Sequence, residues 1–381
     1  MSDIERSARE HGMEQAAEQA DSLDSRCPVA GVDPDFSVER IAELALHDPE
    51  ELVKSPLIWK CLTCLMCSDS TDGSVDMSGF IRDVREQARA EGFSGRETHG
   101  GLILGAQRLS ADPARVPQRT DWVSEQGLQT AQGKGDYILW TGGAPFLSAA
   151  VPGIGYSPLD TARAAVRILN RLGIEPVVLE QERFSGHDLL WTGDTEHFSE
   201  LASLNIRAIQ ESGASGVIAV SPHDMYTLSR TYPETDSSFD VNVCHITEFI
   251  ADRLSELEFR EYTGRVTFHD PCLLGRGMGV YDAPRSIIEA IPGAELVEMK
   301  NSRERSLCCG TSCWTHCTQF SKLMQVNRLR EAVSAGAGVC ITACDECAMH
   351  FSCTLRSDAW QQVNIDVRDV TEFAASLLKD T

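Results

Sequence analysis

The sequence predicts an α+β protein in which a small helical domain precedes an α/β unit that occurs twice. Three observations predict this architecture. The apolar residues Val75, Phe80, Ile81, Val84 and Ala88 recur at the spacing of an amphipathic helix. From about residue 135, short β-rich runs alternate with helical runs, which is typical of α/β layers with largely parallel strands. The chain beyond that point also matches itself at an offset near 122 residues, which indicates a duplication.

The duplication is visible in particular segments. Residues 198–205 fall on residues 320–327, with Phe, Ser, Leu and Asn at matching places. Gly213 lies eight residues before Ser221, and Gly336 lies eight residues before Cys344. The β-rich runs follow the same order in both copies, with runs at 137–140, 176–179 and 216–220 in the first and at 265–268, 295–298 and 339–343 in the second.

Length and composition limit the classes of protein. With 381 residues, 42% of them hydrophobic and 24% charged, the chain is typical of a globular protein of two or three domains. No apolar run approaches the ~20 residues needed to cross a bilayer, and the polar, acidic N-terminus carries no export signal. We therefore expect a cytoplasmic location, peripheral to the membrane only through a partner. A formal charge of −23 argues against a nucleic-acid partner.

Composition and pattern together predict five regions. We expect a mobile acidic N-terminus at 1–25, a helical domain at 26–97 and a polar, glycine-containing linker at 98–135. The first α/β copy is expected at 136–235 and the second at 236–381.

The chain contains 14 cysteines, and their distribution indicates metal or redox sites. Three lie within residues 61–67 and nine between residues 272 and 353, whereas residues 68–243 contain none. A chain without an export signal does not normally use cysteines as a disulfide framework, because cytosolic thiols are held reduced.

The first cysteine group predicts a cubane [4Fe-4S] cluster. Cys61, Cys64 and Cys67 form a C-x2-C-x2-C run, which wraps the chain around such a cluster. A cubane needs a fourth ligand, and Cys27, which precedes Pro28, resembles the Cys-Pro that completes a neighbouring cluster in two-cluster ferredoxins. Zinc with the same four ligands is the alternative, although zinc sites usually pair two separate C-x2-C units.

The second cysteine group lies in the second α/β copy. Five thiols arrive from three loops, several of them at the ends of predicted strands, where open α/β sheets bind ligands. Five thiolates exceed the four of zinc or an ordinary cubane, which indicates an unusual iron-sulfur cluster or a metal site with one reactive thiol. The group comprises Cys272, Cys308, Cys309, Cys344 and Cys347. The first copy has no cysteine at the matching places, so we interpret it as a structural half. Those places hold Ala144, Phe184, Ser185, Ser221 and Asp224.

On these motifs the chain resembles the heterodisulfide reductase family, as a fusion of its small iron-sulfur component with its cysteine-rich component. Residues 55–67, Ser-Pro-Leu-Ile-Trp-Lys-Cys-Leu-Thr-Cys-Leu-Met-Cys, are similar to the second cluster motif of the iron-sulfur component. The His269-Asp-Pro-Cys272 and Cys308-Cys-Gly310 segments, with the other two cysteines, resemble the cysteine-rich CCG domain of the second component. The resemblance implies a small helical ferredoxin-like cluster domain, a degenerate CCG-type unit without cysteines and a CCG-type unit with a metal site.

The resemblance also implies chemistry. The five carboxy-terminal cysteines would ligate a noncubane [4Fe-4S] cluster, at which the family reduces or forms disulfides, with Cys308 and Cys309 as catalytic residues. The sequence departs from the family pattern: it has one cubane site instead of two, no cysteines in the first CCG unit, and a gap before Cys344 that is one residue short. The short gap keeps zinc open as an alternative at the second site.

The expected function is an electron relay from the cubane to the CCG site, where a disulfide or a sulfur-carrying substrate is cleaved or formed. A flavoprotein or a quinone-linked membrane subunit is the expected redox partner. One alternative is an electron-transfer subunit of a quinone-linked dehydrogenase, and another is a non-redox zinc-binding protein.

Residues beside the second group have two candidate roles each. His269 and Asp270 either supply a proton to a departing thiolate, with His269 catalytic, or cap a strand end and orient the loop. Cys313 and Cys317 either line the site or form a redox pair, whereas Cys340 alternates with apolar residues in a strand and is expected in the core. The glycine-rich segment 275–279 is expected to be a loop that shapes the metal site.

Overall fold

The structure is a computed structural model that describes residues 3–116, 119–125, 127–131, 133–357 and 363–379. Helices occur along the whole described chain, and the strands begin only at residue 137. The α-helices are α1 (Asp3–Glu10), α2 (Met13–Glu18), α3 (Ala20–Arg26), α4 (Val38–His47), α5 (Pro49–Lys54), α6 (Leu57–Lys60), α7 (Met66–Ser70), α8 (Met77–Ala90), α9 (Leu102–Ser110), α10 (Ala144–Ala150), α11 (Pro158–Arg171), α12 (His187–Trp191), α13 (Thr195–Ser212), α14 (Pro222–Tyr226), α15 (Tyr232–Thr235), α16 (Ile246–Ala251), α17 (Asp282–Glu289), α18 (Gln319–Ser334), α19 (Asp345–Leu355) and α20 (Val370–Ser376).

The strands form two parallel sheets, which confirms the predicted α+β class and the duplication. The strands are β1 (Tyr137–Trp140), β2 (Gly216–Ala219), β3 (Asn242–His245), β4 (Gly264–His269), β5 (Ala294–Leu296), β6 (Val339–Thr342) and β7 (Asp366–Asp369). One sheet has the order β1-β2-β3, and Val177 pairs with Ile138 on its outer edge. The other sheet has the order β5-β4-β6-β7. The edge at Val177 corresponds to β5, so both sheets repeat one topology.

The two α/β units pack on each other in a reciprocal way. Helix α11 of the first unit contacts α20 of the second, and α16 of the first contacts α17 of the second. Because α11 corresponds to α17 and α16 to α20 in the repeat, each unit presents the same two helices to the other. This is the pattern of a two-fold interface within one chain, which brings the matching loops of the two units face to face.

The N-terminal segment differs from the mobile tail that the sequence suggested. Residues 3–26 form α1, α2 and α3, and Ile4, Ala8, Met13, Ala16 and Leu23 are buried. Helix α1 contacts α4 and α8. These apolar residues form a narrow stripe within a polar segment, and through this stripe the three helices pack against the helical domain.

The segment expected to be a linker contains helix α9. Its residues Ile103 and Leu104 are almost fully buried and belong to the same core as β1 and β2. Helix α9 contacts α12 of the first α/β unit. This stretch therefore packs as part of the first unit, and the exposed residues of α9, Leu102 and Leu109, are apolar.

Helix α8 joins the helical domain to the first α/β unit and confirms the predicted amphipathic helix. Its residues Phe80, Ile81 and Val84 have no measurable exposure. Gly193 allows the close approach, since a Cβ at this position would lie 2.5 Å from the backbone carbonyl carbon of Arg85. Gly193 also has φ +77°, a backbone conformation that residues with a side chain rarely adopt.

Arg85, on α8, connects three segments from within the protein. Its guanidinium is fully buried and donates to the carbonyl oxygens of Ile58, Cys61 and Trp191 at 2.7–3.0 Å. Carbonyls buried without a donor are costly, so this one side chain fixes the loop after Cys61 against the first α/β unit.

Replacing Arg85 by methionine should lower the free energy of unfolding by about 3 kcal/mol, because three buried carbonyl oxygens lose their donor. Chemical denaturation measures this change. Arg82→Gln on the same helix is the control: it removes a partly exposed side chain that pairs with Asp83, so about 0.5 kcal/mol is expected. Equal losses in the two variants would contradict the structural role of Arg85.

Candidate metal centres

The structure brings Cys27, Cys61, Cys64 and Cys67 together in one pocket of the helical domain. Cys27 follows the last residue of α3, Cys61 follows α6, and Cys67 lies in the short helix α7. The pocket, of about 390 Å³, has otherwise mainly apolar walls that include Phe36, Val38 and Met77. Burial raises the pKa of each of the four thiols. Four converging thiols in an apolar pocket fit a tetrathiolate metal centre.

The loop that carries the first three of these thiols has an unusual backbone. Thr63 has φ +47° and Leu65 has φ +62°, both in the left-handed region that side chains seldom adopt. Thr63 donates its backbone N–H to the Cys61 sulfur at 3.5 Å, and its hydroxyl contacts Ser312 Oγ at 3.1 Å. The turn therefore curls the chain around the sulfurs and presents backbone donors to them, which is how proteins tune thiolate-bound iron.

The second group of five cysteines also converges, at the carboxyl ends of β4 and β6. Cys272 lies three residues after β4, and Cys344 lies two residues after β6, where its sulfur caps α19 by accepting from the N–H of Cys347 at 3.4 Å. Cys308 and Cys309 enter from the loop before α18, and both are buried.

The five thiols form a continuous network. Cys272 is within hydrogen-bonding range of Cys308, Cys308 of Cys309, and Cys309 of Cys347. Hydrogen bonds from Cys308 and Cys347 lower the pKa of Cys309, while neighbouring thiols and burial hold the pKa of Cys347 well above its usual range. The donor set is soft and larger than four, and four of its five thiols are buried.

The two cysteine groups are neighbours. Cys64 is close enough to Cys272 for the charge of one to raise the pKa of the other, and Cys64 acts in the same way on Cys308. Arg276 lies between the groups and donates to the carbonyl oxygens of Cys64 and Ser306 at 2.9 and 2.7 Å. Its positive charge attracts Cys64, Cys272 and Cys308. Arg276 belongs to the glycine-rich segment 275–279, which the sequence predicts as a loop that shapes the metal site; the structure forms a π-helical turn over Leu273–Gly277.

His269 and Asp270 serve the architecture of the strand end. The Nδ1 atom of His269 accepts from Arg328 at 3.0 Å, and its Nε2 atom is buried without a partner among the described residues. Asp270 accepts two hydrogen bonds from the Arg285 guanidinium and one from the backbone N–H of Arg303. Burial holds the pKa of His269 well below its usual range. This geometry favours the loop-orienting alternative over proton donation by His269.

The cysteine-free unit contributes directly to the second group, which corrects its interpretation as a purely structural half. His223 approaches Cys344 to 4.0 Å with Nδ1 and Glu346 to 3.8 Å with Nε2. Ser221 donates to Asp345 at 2.9 Å. The reciprocal packing explains this, because Ser221-Pro-His-Asp faces its own repeat counterpart, Cys344-Asp-Glu-Cys. In the first copy, His223 lies in the segment that stands in place of the C-x2-C motif, and this position was the feature of the sequence that could have identified it.

The remaining cysteines of this region lie apart from the two groups. Cys340 is fully buried in β6, as expected for a core residue. Cys313 is buried beside Ser312, whereas Cys317 is exposed, and both are free thiols. Burial raises the pKa of Cys313. The structure therefore separates Cys313 from Cys317 by exposure, and a redox pair between them has no support.

Comparisons with known proteins show the family to which the chain belongs. The Cysteine-rich domain family (CCG) matches residues 155–229 and again residues 266–352. The chain is 32% identical over 356 residues to one component of the dihydromethanophenazine:CoB–CoM heterodisulfide reductase of Methanosarcina acetivorans, covering 87% of this chain and 82% of the relative. It is 27% identical over 350 residues to the probable iron-sulfur-binding oxidoreductase FadF of Bacillus subtilis, covering 85% of this chain and 47% of that one.

A solved structure supports the fold alone. A hypothetical protein from Helicobacter pylori matches with a TM-score of 0.53 at 10% identity, over 88% of this chain and 65% of that chain. Across the residues that the structure describes, none of the helices has the length and hydropathy to span a membrane.

The duplicated cysteine-rich domain, joined to a helical tetrathiolate domain, defines an iron-sulfur oxidoreductase subunit. The chain belongs to the heterodisulfide reductase family. The match to the Methanosarcina acetivorans reductase component extends over 87% of this chain, in agreement with the fused arrangement that the motifs indicated.

Proposed function

We propose that this chain relays electrons between two iron-sulfur clusters and uses them to reduce, or to form, a disulfide or a bound sulfur atom. Cys27, Cys61, Cys64 and Cys67 would hold a cubane [4Fe-4S] cluster. The five cysteines of the second group would hold a noncubane [4Fe-4S] cluster, with zinc as the alternative. One observation carries the proposal: Arg276 bridges the two thiol groups, because it donates to the carbonyl oxygen of Cys64 at 2.9 Å and to that of Ser306, two residues before Cys308, at 2.7 Å.

Proximity matters because electron transfer through protein weakens steeply with distance. When bound, iron-sulfur clusters supply one-electron carriers whose potentials depend on nearby charge and hydrogen bonds. Arg276 is placed to act on both centres at once, because its guanidinium attracts sulfurs of both groups. Its hydrogen bonds to the carbonyl oxygens of Cys64, Glu304 and Ser306 hold the loop of Cys64 against the segment before Cys308. The residue thus fixes the separation as well as the electrostatics.

Cleavage of a disulfide takes two electrons and two protons and yields two thiols. Trp314 and His316 are buried where the helical domain meets the second α/β unit, with 3% and 8% exposure. His316 also ties the two domains together through contacts with the carbonyl oxygens of Ser312 and Lys60 at 3.1 and 3.2 Å. A substrate sulfur would reach the second group from the side of His223, where the two α/β units meet.

The electrons would come from, or return to, another redox protein. The relatives include a named component of a larger reductase, which supports a partner of this kind. We propose a flavoprotein or a quinone-linked membrane subunit as that partner. The helical domain would receive the electrons, because it carries the more exposed of the two thiol groups. Cys27, Cys61 and Cys67 of that group are partly exposed.

Anaerobically purified protein should contain about eight irons with matching acid-labile sulfide. Cys27→Ala should lower the iron content to about four, because the first group loses one of four ligands. Metal analysis and sulfide determination measure both values. Cys340→Ser is the matched control, since it changes a buried cysteine outside both groups. Two zinc ions and no iron would refute the redox proposal.

Reoxidation by a small disulfide tests the catalytic step. Protein reduced under anaerobic conditions should regain its oxidised visible spectrum when a disulfide such as cystamine is added. Cys309→Ser should slow this reoxidation by at least about a hundredfold, because the second group loses a ligand whose pKa is lowered by hydrogen bonds from Cys308 and Cys347. Cys340→Ser should react like the unmodified protein. Reoxidation only by a quinone-linked partner would contradict disulfide chemistry and favour a relay to quinone.

Arg276→Gln should shift the reduction potentials of both centres to more negative values by about 60 mV, which corresponds to a loss of about 1.4 kcal/mol of electrostatic attraction for a one-electron couple. Arg276→Lys keeps the charge and should recover most of the shift. Redox titration followed by electron paramagnetic resonance gives the potentials. Arg265→Gln, at a half-exposed arginine paired with Glu295, is the control and should leave both unchanged. If only one potential moved, Arg276 would not lie between the centres as proposed.

A further inference from the structure

A cleft in the cysteine-free α/β unit takes no part in either thiol group. It lies between helix α9 and the loop 183–184, has a volume of about 820 Å³ and opens to solvent. Its lining combines apolar and basic side chains, and no acidic residue is among the described residues that line it. The lining residues that carry the argument are Leu109, Ser110, Val116, Arg119, Phe146 and Phe184.

Arg119 places a charged guanidinium in this cleft without a hydrogen-bond acceptor among the described residues. All three of its guanidinium nitrogens are shielded from water and have no hydrogen-bond partner among the described residues. The guanidinium packs over the ring of Phe184 at 5.0 Å. Glu182 and Asp224 attract it through space without accepting a hydrogen bond from it. Buried donors of a charged group normally have partners. Because the described residues offer this guanidinium no acceptor, a ligand can provide one.

A second polar group in the cleft is also unsatisfied. The hydroxyl of Ser110 is buried and has no partner among the residues that the structure describes. Arg183, on the opposite wall, is already engaged, because its guanidinium donates to the carbonyl oxygens of Ser110 and Asp112. Arg183 therefore positions the end of α9, whereas Arg119 and the Ser110 hydroxyl remain available to a ligand.

The outer walls of the cleft are apolar and exposed. Leu109 is 57% and Val116 64% exposed, and they are the two most exposed large hydrophobic side chains of the described chain. The rings of Phe146 and Phe184 meet edge to face farther in, with centroids 5.6 Å apart. Exposed apolar side chains around an unpartnered cation are typical of a site for an amphipathic anion.

We propose that this cleft binds an organic carboxylate that carries a hydrocarbon chain, with the carboxylate accepting from Arg119 and Ser110 and the chain lying against Leu109, Val116 and the two phenylalanines. A guanidinium and a carboxylate match in geometry, since both are planar and pair through two parallel hydrogen bonds. Phe184 also lines a small polar cavity that contains Asp188, His223 and Glu346. The carboxylate site therefore adjoins the face through which we expect substrates to approach Cys344.

Isothermal titration calorimetry of the full chain with octanoate tests the proposal. Octanoate should bind saturably with a Kd on the order of 0.1 mM, given the usual yield of binding energy per atom for small ligands. Octanol, which has the same chain without a charge, should bind at least about tenfold more weakly. Tight binding of octanol, or no saturable binding of octanoate, would overturn the proposal.

Variants locate the site. Arg119→Gln should weaken octanoate binding about tenfold or more, because the carboxylate loses its charged donor. Arg115→Gln is the matched control: Arg115 lines the same cleft but is exposed and pairs with Asp112 at 3.3 Å, so a change of less than about twofold is expected. Equal weakening in the two variants would indicate general charge attraction and contradict a specific site.

Two further variants separate binding from folding and from the redox proposal. Val116→Glu changes an exposed side chain, leaves the core intact and should weaken octanoate binding at least as much as Arg119→Gln, through repulsion at the mouth of the cleft. Unchanged binding in this variant would overturn the proposal. Cys309→Ser should bind octanoate like the unmodified protein, because the cleft does not involve the second thiol group; loss of binding there would place the ligand at the cysteines instead.

Discussion

The structure depends on nine thiols being gathered into two groups, in which five thiols are buried and four are partly exposed. Burial disfavours a thiolate by several kcal/mol unless positive charge compensates it, so each group requires cations nearby. Two arginines meet part of that requirement from within the chain. Arg85 lies beside Cys61, and Arg276 lies beside Cys64, Cys272 and Cys308. Metal ions bound to the sulfurs would provide the remaining positive charge. We therefore expect the fold around the thiols and the proposed cofactors to depend on each other.

Duplication explains how one chain could lose half of its thiols and keep its architecture. The parallel sheet, the helices α11 and α16 and their reciprocal contacts with α20 and α17 require apolar residues, which both copies retain. The ligand positions lie in loops at the carboxyl ends of the strands, where substitution changes chemistry without changing the core. In the first copy Ser185, Ser221 and Asp224 stand at these positions, so the matching loops carry polar side chains in place of thiols, and His223 faces the cysteines of the second copy.

The sequence predicted the parts of the fold whose signals are local. Strand β1, helix α8 and the repeat followed from periodicity, and the two cysteine groups followed from spacing. Periodicity did not predict that residues 3–26 fold into packed helices. Met13 and Ala16 are isolated apolar residues in a polar segment, and their burial becomes visible only once α4 packs against α2. Arg276 and His223 were missed for a related reason: each acts on cysteines more than 100 residues away or in the other domain, and single-sequence patterns carry no such distances.

The position of Cys27 at the end of α3 has a consequence for maturation. Its pocket is lined only by residues between Cys27 and Ser78, so the chain up to Ser78 already contains all of its walls. The other thiol group needs Cys347, which is synthesised long after Ser78. The first pocket is therefore complete in sequence before any cysteine of the second group exists, and we expect the two thiol groups to become available to metal in a fixed order.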